Sequence, residues 1–257
     1  MRLTVLGCGA SGGVPVPGLG WGDCDPAEPR NRRRRASLLV EDDARRVLID
    51  ASPDCRDQLL DAGIDRLDAV VFTHAHADHC HGIDDLRWIN MAMGADIPIH
   101  ADARTLDEFR ARFAYVFEPL DSRQAQRYYY KPVLLPHAID GPFAAGGIPI
   151  LPFEQDHGFS TTLGFRMGQA AYSTDVVALD DAAFDLLQGI DVWIVDCMRP
   201  MPHSTHSHLE QTLRWIERVR PQRAFLTHMN ERMDYATLRS ILPAHVEPAY
   251  DGLIIEV

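Results

Sequence analysis

The sequence predicts an α/β fold in which helices cover β-sheets, and three observations predict it. Short apolar runs rich in β-branched residues recur along the whole length, patterns of helical period lie between them, and no low-complexity stretch or long linker separates the two. The strand-like runs are residues 3–6, 37–40, 47–49, 69–72, 97–99, 148–153, 163–167, 192–195, 224–226 and 253–257, bounded by Gly, Pro or Asp. The helical patterns are residues 54–62, 105–113, 178–187, 209–219 and 235–242. Ser52 and Pro53, ahead of the first, read as an N-cap and a proline of the first turn. Because the two kinds of segment are mixed throughout, residues 1–257 read as one domain.

Composition narrows the function classes. With 257 residues, 46% of them hydrophobic and 24% charged, the chain can bury a sizeable core and is not a disordered polyelectrolyte. Lys and Arg number 25 against 37 Asp and Glu, a net charge of −12. That balance disfavours broad phosphate neutralisation, so a stable nucleic-acid complex is not expected. No apolar run approaches the roughly 20 residues that span a bilayer. The first nine residues resemble a strand entering a glycine loop and not a signal peptide. A cytoplasmic protein with no membrane partner is the expectation. Lys131 is the only lysine, which codon usage explains. Cys8, Cys24, Cys55, Cys80 and Cys197 are scattered, odd in number and form no C-x-x-C pair, so neither a disulfide framework nor a cysteine zinc knuckle is expected. The 12 histidines, in contrast, are clustered.

Residues 70–74 and 224–228 are both apolar strand-like runs ending in Thr-His, and Asp50, Asp175 and Asp196 likewise follow apolar runs. If these strands share an orientation, His74, His228 and the three aspartates gather at one rim, where sites of α/β sheets lie. The densest cluster is Thr73-His74-Ala75-His76-Ala77-Asp78-His79. On a strand, His74, His76 and Asp78 share a face; in a turn, His79 comes near them instead. A loop that turns into a helix presents His74 and His76 to one point and Asp78 with His79 to another. Imidazole nitrogens and carboxylate oxygens are ligands for Zn, Mn and Fe(II). A polar helix cap with incidental histidines does not account for such density. Asp78 has a second reading, as a carboxylate that orients a histidine ligand. His81 has no place in the pattern and reads as a solvated or supporting residue.

The H-x-H-x-D-H motif at residues 74–79 resembles that of the metallo-β-lactamase superfamily, and later segments match its pattern in order. Residues 155–158 supply a lone histidine, His157; residues 171–175 supply Asp175; residues 225–228 supply His228; and Asp50 matches the early structural aspartate. The resemblance implies a four-layer αββα sandwich with a binuclear site holding two divalent ions, Zn or Mn, with Fe also accommodated. His74, His76, His157 and Asp175 would hold one ion; Asp78, His79, Asp175 and His228 the other. The chain is most similar to the phosphodiesterase branch, which includes tRNA 3′-processing endonucleases and phosphoribosyl cyclic phosphate phosphodiesterases. The loop at residues 7–15, the use of Asp175 where other branches use cysteine, and Thr205-His206-Ser207-His208-Leu209 carry this closer match. His206 matches an active-site histidine that is not a ligand, with His208 as its neighbouring rival.

The resemblance implies hydrolysis of a small phosphodiester, a cyclic ribose phosphate or a nucleotide, by a hydroxide shared between the ions. His206 and Asp78 are the catalytic side chains, with His206 giving a proton to the leaving oxygen. Relatives imply a homodimer. Only Cys24 remains of the cysteine cluster by which the cyclic phosphate enzymes hold an extra zinc, so no structural zinc is expected there. No Gly- and Lys-rich insertion matches the arm with which the endonucleases grip tRNA. For substrate contacts the sequence offers Ser11, Gly12 and Gly13, whose backbone N–H groups can face a phosphate or merely connect strands. Arg34, in the basic run 30–35, is a candidate phosphate clamp or part of a solvated loop. Tyr115, Phe117, Tyr128, Tyr129 and Tyr130 can stack a base, pack in the core or form an interface. A thioester or lactone hydrolase on the same scaffold and a non-catalytic metal- or nucleotide-binding sensor are the competing readings. A di-iron oxygen or nitric-oxide reductase would need a flavin module that this sequence does not contain.

Overall fold

In the computed structural model, which describes residues 1–120 and 129–257, two seven-stranded sheets face each other with helices outside both. Numbered in chain order, the first sheet runs β14 (Leu253–Glu256), β1 (Arg2–Gly7), β2 (Ser37–Asp42), β3 (Arg45–Ile49), β4 (Ala69–Val71), β5 (Ile97–Ala101) and β6 (Leu134–Ala138). The second runs β13 (Val246–Pro248), β12 (Arg223–Thr227), β11 (Val192–Asp196), β10 (Ala170–Ser173), β9 (Thr161–Met167), β8 (Ile148–Asp156) and β7 (Phe143–Ala145). Helices α1 (Cys55–Asp61), α3 (Leu86–Met93) and α4 (Ala103–Arg112) cover the first sheet. Helices α5 (Asp181–Leu187), α6 (Leu209–Val219) and α7 (Tyr235–Ile241) cover the second. This is the αββα sandwich.

The strand period of two explains why the apolar runs read as continuous. In β2, Leu38 and Val40 join the core between the sheets, while Leu39 faces the core beneath α1, α3 and α4. Phe165, Trp193 and Phe225, at 0–1% exposure, fill the layer between the sheets and its continuation under α5 and α6. No described helix is long and apolar enough to cross a membrane.

What places the site is direction. Strands β3, β4, β5 and β6 are mutually parallel, as are β10, β11, β12 and β13. Asp50 follows β3, His74 lies just past β4, Asp175 follows β10, Asp196 ends β11 and His228 follows β12. The predicted common rim is therefore real.

Several boundaries differ from the sequence reading. The first helix starts at Cys55 with Asp54 as its N-cap residue, so Ser52 is not the cap; its Oγ instead accepts from the Asp54 N–H at 3.1 Å. The sequence does not single out β6, β7, β10 and β13 as strands or α3 and the one-turn α2 (Ala77–Cys80) as helices; β7 and β13, three residues each, are too short to show a period.

Gly82 pins α2 against the loop after Asp50. Its N–H donates to the Ala51 carbonyl at 2.9 Å, and an added Cβ would lie 2.0 Å from the Ser52 carbonyl oxygen. Because that neighbour is backbone, Gly82→Ala is expected to destabilise the fold by about 1–3 kcal/mol through overpacking. Chemical denaturation checks this; an unchanged midpoint and slope would show that the two segments are free to move apart.

Candidate metal centre

Asp50 organises the centre from below. It is fully buried, its Oδ1 accepts the Thr73 N–H at 2.8 Å, and its Oδ2 accepts the Thr73 hydroxyl at 2.8 Å. The same Oδ2 lies 2.7 Å from His79 Nδ1. A carboxylate can only accept, so Nδ1 donates to it and Nε2 is the atom left facing Asp175. Because the Thr73 hydroxyl already donates to Asp50, its contact with His74 Nδ1 at 2.9 Å makes that nitrogen the donor. His157 Nδ1 donates to the Thr205 carbonyl at 2.7 Å. Three imidazoles are thereby locked in one tautomer, with Nε2 turned inward.

Asp175 stands where these nitrogens meet. Its Oδ2 lies 3.7 Å from His74 Nε2 and 3.8 Å from His157 Nε2. Its Oδ1 lies 3.1 Å from His79 Nε2 and 3.3 Å from His228 Nε2, which in turn is 3.5 Å from Asp78 Oδ2. The carboxylate is held by the Thr174 hydroxyl, which donates to Oδ1 at 2.8 Å, and by the Thr162 hydroxyl on the Asp175 carbonyl at 3.0 Å. Two groups result, His74–His76–His157–Asp175 and Asp78–His79–Asp175–His228, and Asp175 belongs to both. All seven predicted ligands thus converge.

The donor set fits divalent cations by its own chemistry. His74 Nε2, His79 Nε2 and His228 Nε2 are buried without a hydrogen-bond partner. Buried polar atoms are ordinarily paired, and a lone pair facing a carboxylate oxygen is repelled unless a cation or proton lies between. Burial opposes charge on all these groups, yet the His228 and His79 imidazoles hold the Asp175 carboxyl well below its usual range. Burial dominates at His74 and pulls its imidazole well down, favouring the neutral, ligating form.

The backbone is strained at the same points. Asp50, Asp175 and His228 adopt φ of 63°, 54° and 56°. The two other non-glycine residues with positive φ, Asp43 and Arg220, sit in the β2–β3 hairpin and just past α6, where such values are routine. A left-handed non-glycine residue costs about 1–3 kcal/mol, and such strain concentrates at functional sites.

His206 lies beside the two groups and belongs to neither, although with Asp196 and His228 it forms a third cluster of possible ligand atoms. Its ring stacks on His228 with centroids 4.8 Å apart and 15° between planes, and meets His157 edge-on at 4.8 Å. Burial lowers its affinity for a proton, but Asp196, 3.6 Å from its Nδ1, and then Asp175 prevail and push the imidazole up to about 9. His208 is the N-cap residue of α6 and lies outside these groups, and His81 packs against Phe113.

Asp196 was visible in the sequence only as an aspartate after a strand. It is fully buried, and its Oδ2 accepts from the Ser207 N–H at 2.9 Å and the Ser207 hydroxyl at 3.0 Å. Its Oδ1 lies 3.6 Å from both His206 Nδ1 and His228 Nδ1. Asp196 Oδ1, His206 Nδ1 and His228 Nδ1 are all buried without a hydrogen-bond partner. Phe159, 77% exposed beside the rings of His76 and His157, was also missed, since a lone loop aromatic carries no periodic signal.

The predicted substrate contacts fall differently. The glycine loop runs next to the centre: the Ala10 N–H donates to the Met229 carbonyl at 3.1 Å, one residue past His228. Ser11, Gly12 and Gly13 are on this loop but in neither ligand group. Arg34 is not a free clamp. Its Nε is 3.1 Å from Asp251 and its Nη1 2.8 Å from Asp61, so its charge is already matched. Tyr129 is buried, Phe117 packs against the outer core of the first sheet, and the Tyr115 hydroxyl donates to Asp84 at 2.5 Å. Tyr130 is 40% exposed, and Tyr128 lies outside the described residues.

The chain belongs to the β-lactamase superfamily, whose domain model matches residues 45–229. That fold implies divalent metal ions. The chain is 33% identical to a diphosphatase of the PhnP family over 100% of its own length and 97% of that chain, with a TM-score of 0.90. The short form of human tRNase Z superposes with a TM-score of 0.65 at 16% identity, covering 100% and 99% of the two chains. An octanoyltransferase of Porphyromonas gingivalis is 34% identical over 258 residues, 98% of this chain and 51% of that protein. The chain thus spans about half the length of the curated relatives it matches.

Asp50→Asn would keep the shape of the support but lose the carboxylate that holds His79. Metal affinity is expected to fall about 10–100-fold. Competition between the protein and a chromophoric chelator reads this directly; wild-type affinity would mean that His79 is oriented without Asp50.

Proposed function

We propose that the chain is a metal-dependent hydrolase of small phosphodiesters, a cyclic ribose phosphate or a nucleotide-like substrate. His74, His76, His157 and Asp175 would hold one divalent ion, Zn, Mn or Fe, and Asp78, His79, Asp175 and His228 a second. The observation that carries this reading is the division of labour at Asp175: its Oδ1 faces the buried, partnerless Nε2 atoms of His79 and His228, and its Oδ2 faces the partnerless Nε2 of His74 and, beside it, that of His157. Bound there, such ions supply Lewis acidity to a phosphoryl oxygen and lower the pKa of water.

The protein's own groups do the rest. Asp50, Thr73 and the Thr205 carbonyl hold the Nδ1 side of three imidazoles and so aim their Nε2 atoms inward. Asp78, half-buried and shared between His79 and His228, completes the second set. Asp196 lies 3.6 Å from His206 Nδ1 and favours a charged ring, and Nε2, 4.0 Å from Asp175 Oδ2, is the proton donor for the departing oxygen. The 33% identity to a PhnP-family diphosphatase over the full chain supports phosphorus as the atom attacked. The octanoyltransferase resemblance covers half of that protein and lends no comparable support to acyl transfer.

An aryl phosphodiester, a 2′,3′-cyclic nucleotide, a lactone and a thioester, assayed side by side with Mn or Zn, separate the readings. Turnover of a phosphodiester is expected; turnover confined to the lactone or thioester would overturn the proposal, as would nucleotide binding without any turnover. His206→Ala is expected to keep its metal and lose about 10²–10⁴-fold in kcat. Loss of metal from that variant would make His206 a ligand. Asp175→Ala, in contrast, is expected to lose at least one equivalent of metal by elemental analysis, and full occupancy would refute the shared-ligand assignment.

A further inference from the structure

A cavity of about 700 Å³ lies outside the metal centre, lined by the turn at residues 12–15, by the five arginines among residues 30–35 and by Asp54, Asp57, Asp61 and Asp251. Two of these arginines are already neutralised, Arg34 by Asp251 and Asp61 and Arg35 by Asp54 at 3.0 Å. The other three have no carboxylate partner among the described residues. The Arg30 guanidinium lies over the rings of Tyr235 and Tyr250, at 4.8 and 5.4 Å, and that of Arg32 over Trp21 at 5.3 Å. Stacking on an aromatic face fixes the plane of a guanidinium and leaves its N–H edges for an anion.

Arg33 is the third, and it is 2% exposed. Its Nη atoms donate to the main-chain carbonyls of Asn230 and Met233, at 3.3 and 2.6 Å, while its Nε–H has no partner. A buried guanidinium without a counter-charge is costly and raises the positive potential of whatever it lines. Arg33 ties the loop to Asn31, Asn230 and Met233, whereas Arg30 and Arg32 leave their charge at the cavity unmatched by a carboxylate among the described residues.

We propose that the cavity is a second anion site that takes a phosphoryl dianion. Two stacked guanidiniums at its rim can meet the oxygens of a phosphate, which charge-assisted N–H donors recognise, and the buried Arg33 adds positive charge from the wall. The glycine loop forms both its edge and the neighbour of His228. The Val14 N–H donates to the Arg33 carbonyl at 2.8 Å and the Ala10 N–H to the Met229 carbonyl at 3.1 Å, so the cavity and the metal centre share one wall. The phosphoryl group belongs either to a non-reacting part of the substrate or to a separate small anion.

Titration of inorganic phosphate into the metal-loaded full chain tests this without reference to any reaction. In a His76→Ala background, which removes one candidate ligand from the metal centre, phosphate binding is expected to persist. Adding Arg30→Ala and Arg32→Ala should weaken it about tenfold or more, and Arg30→Lys with Arg32→Lys should retain most of it. Arg32→Ala alone, on an exposed loop, should act in the same direction and guards against a folding defect in the double variant. Unchanged phosphate affinity in the alanine variants overturns the proposal, as does loss of all binding with His76→Ala alone. Kinetics then distinguish the sources. A rise in KM confined to a diester that carries an additional phosphate assigns the site to the substrate. Unchanged KM for diesters with and without one, alongside lost phosphate binding, assigns it to a separate anion.

Discussion

Asp175 turns its two oxygens toward two groups of imidazoles, and the nitrogens facing it have no other partner. In a fully buried setting neutral imidazoles would turn lone pairs on a carboxylate with little water to separate them, so the arrangement calls for protons or metal cations between the groups. Positive charge placed between them reverses the sign of every one of those interactions. The surrounding hydrogen bonds prevent any other escape. His79 cannot rotate away from Asp50, His157 is held on the Thr205 carbonyl, and Asp175 is fixed by Thr174 and Thr162. The fold therefore stores an electrostatic conflict that a cation resolves.

The sandwich supplies the rigidity that this requires. Two sets of parallel strands end at one edge, and the residues just beyond those ends are forced through tight turns. At Asp50, Asp175 and His228 the turn is left-handed, so each side chain departs at an angle that ordinary extended or helical backbone does not offer. The strain is tolerated because the strands behind are buried on both faces. Val70, Val71, Ile194 and Leu226 are fully buried, and moving a rim residue would disturb that packing. Asp196, at the end of β11, lies 3.6 Å from His206 and from His228 and places negative charge beside both rings.

Much of this was legible in the sequence, and the reasons are local. The motif at residues 74–79 packs four titratable groups into a single loop and turn, so its convergence needed no tertiary information. Asp50, Asp175 and His228 announced themselves as polar residues capping apolar runs. Asp196 did so as well, but its task depends on the distance from β11 to the His206 loop, which no spacing encodes. Arg34 misled for the same reason. Asp61 and Asp251, which neutralise it, are distant in sequence and are brought to it by α1 and the turn before β14. Short edge strands such as β7 and β13, three residues each, lacked the length over which a period of two can be read. The four-layer arrangement was legible only through resemblance, because no run of residues states which sheet faces which.

Anomalous diffraction from crystals grown with Zn or Mn, recorded at the absorption edge of the metal, tests the central claim most directly. The account predicts two peaks about 3.5–4 Å apart, one on each side of Asp175, with His206 coordinated to neither. A centre without peaks, or ions placed so that Asp175 touches none of them, would contradict it.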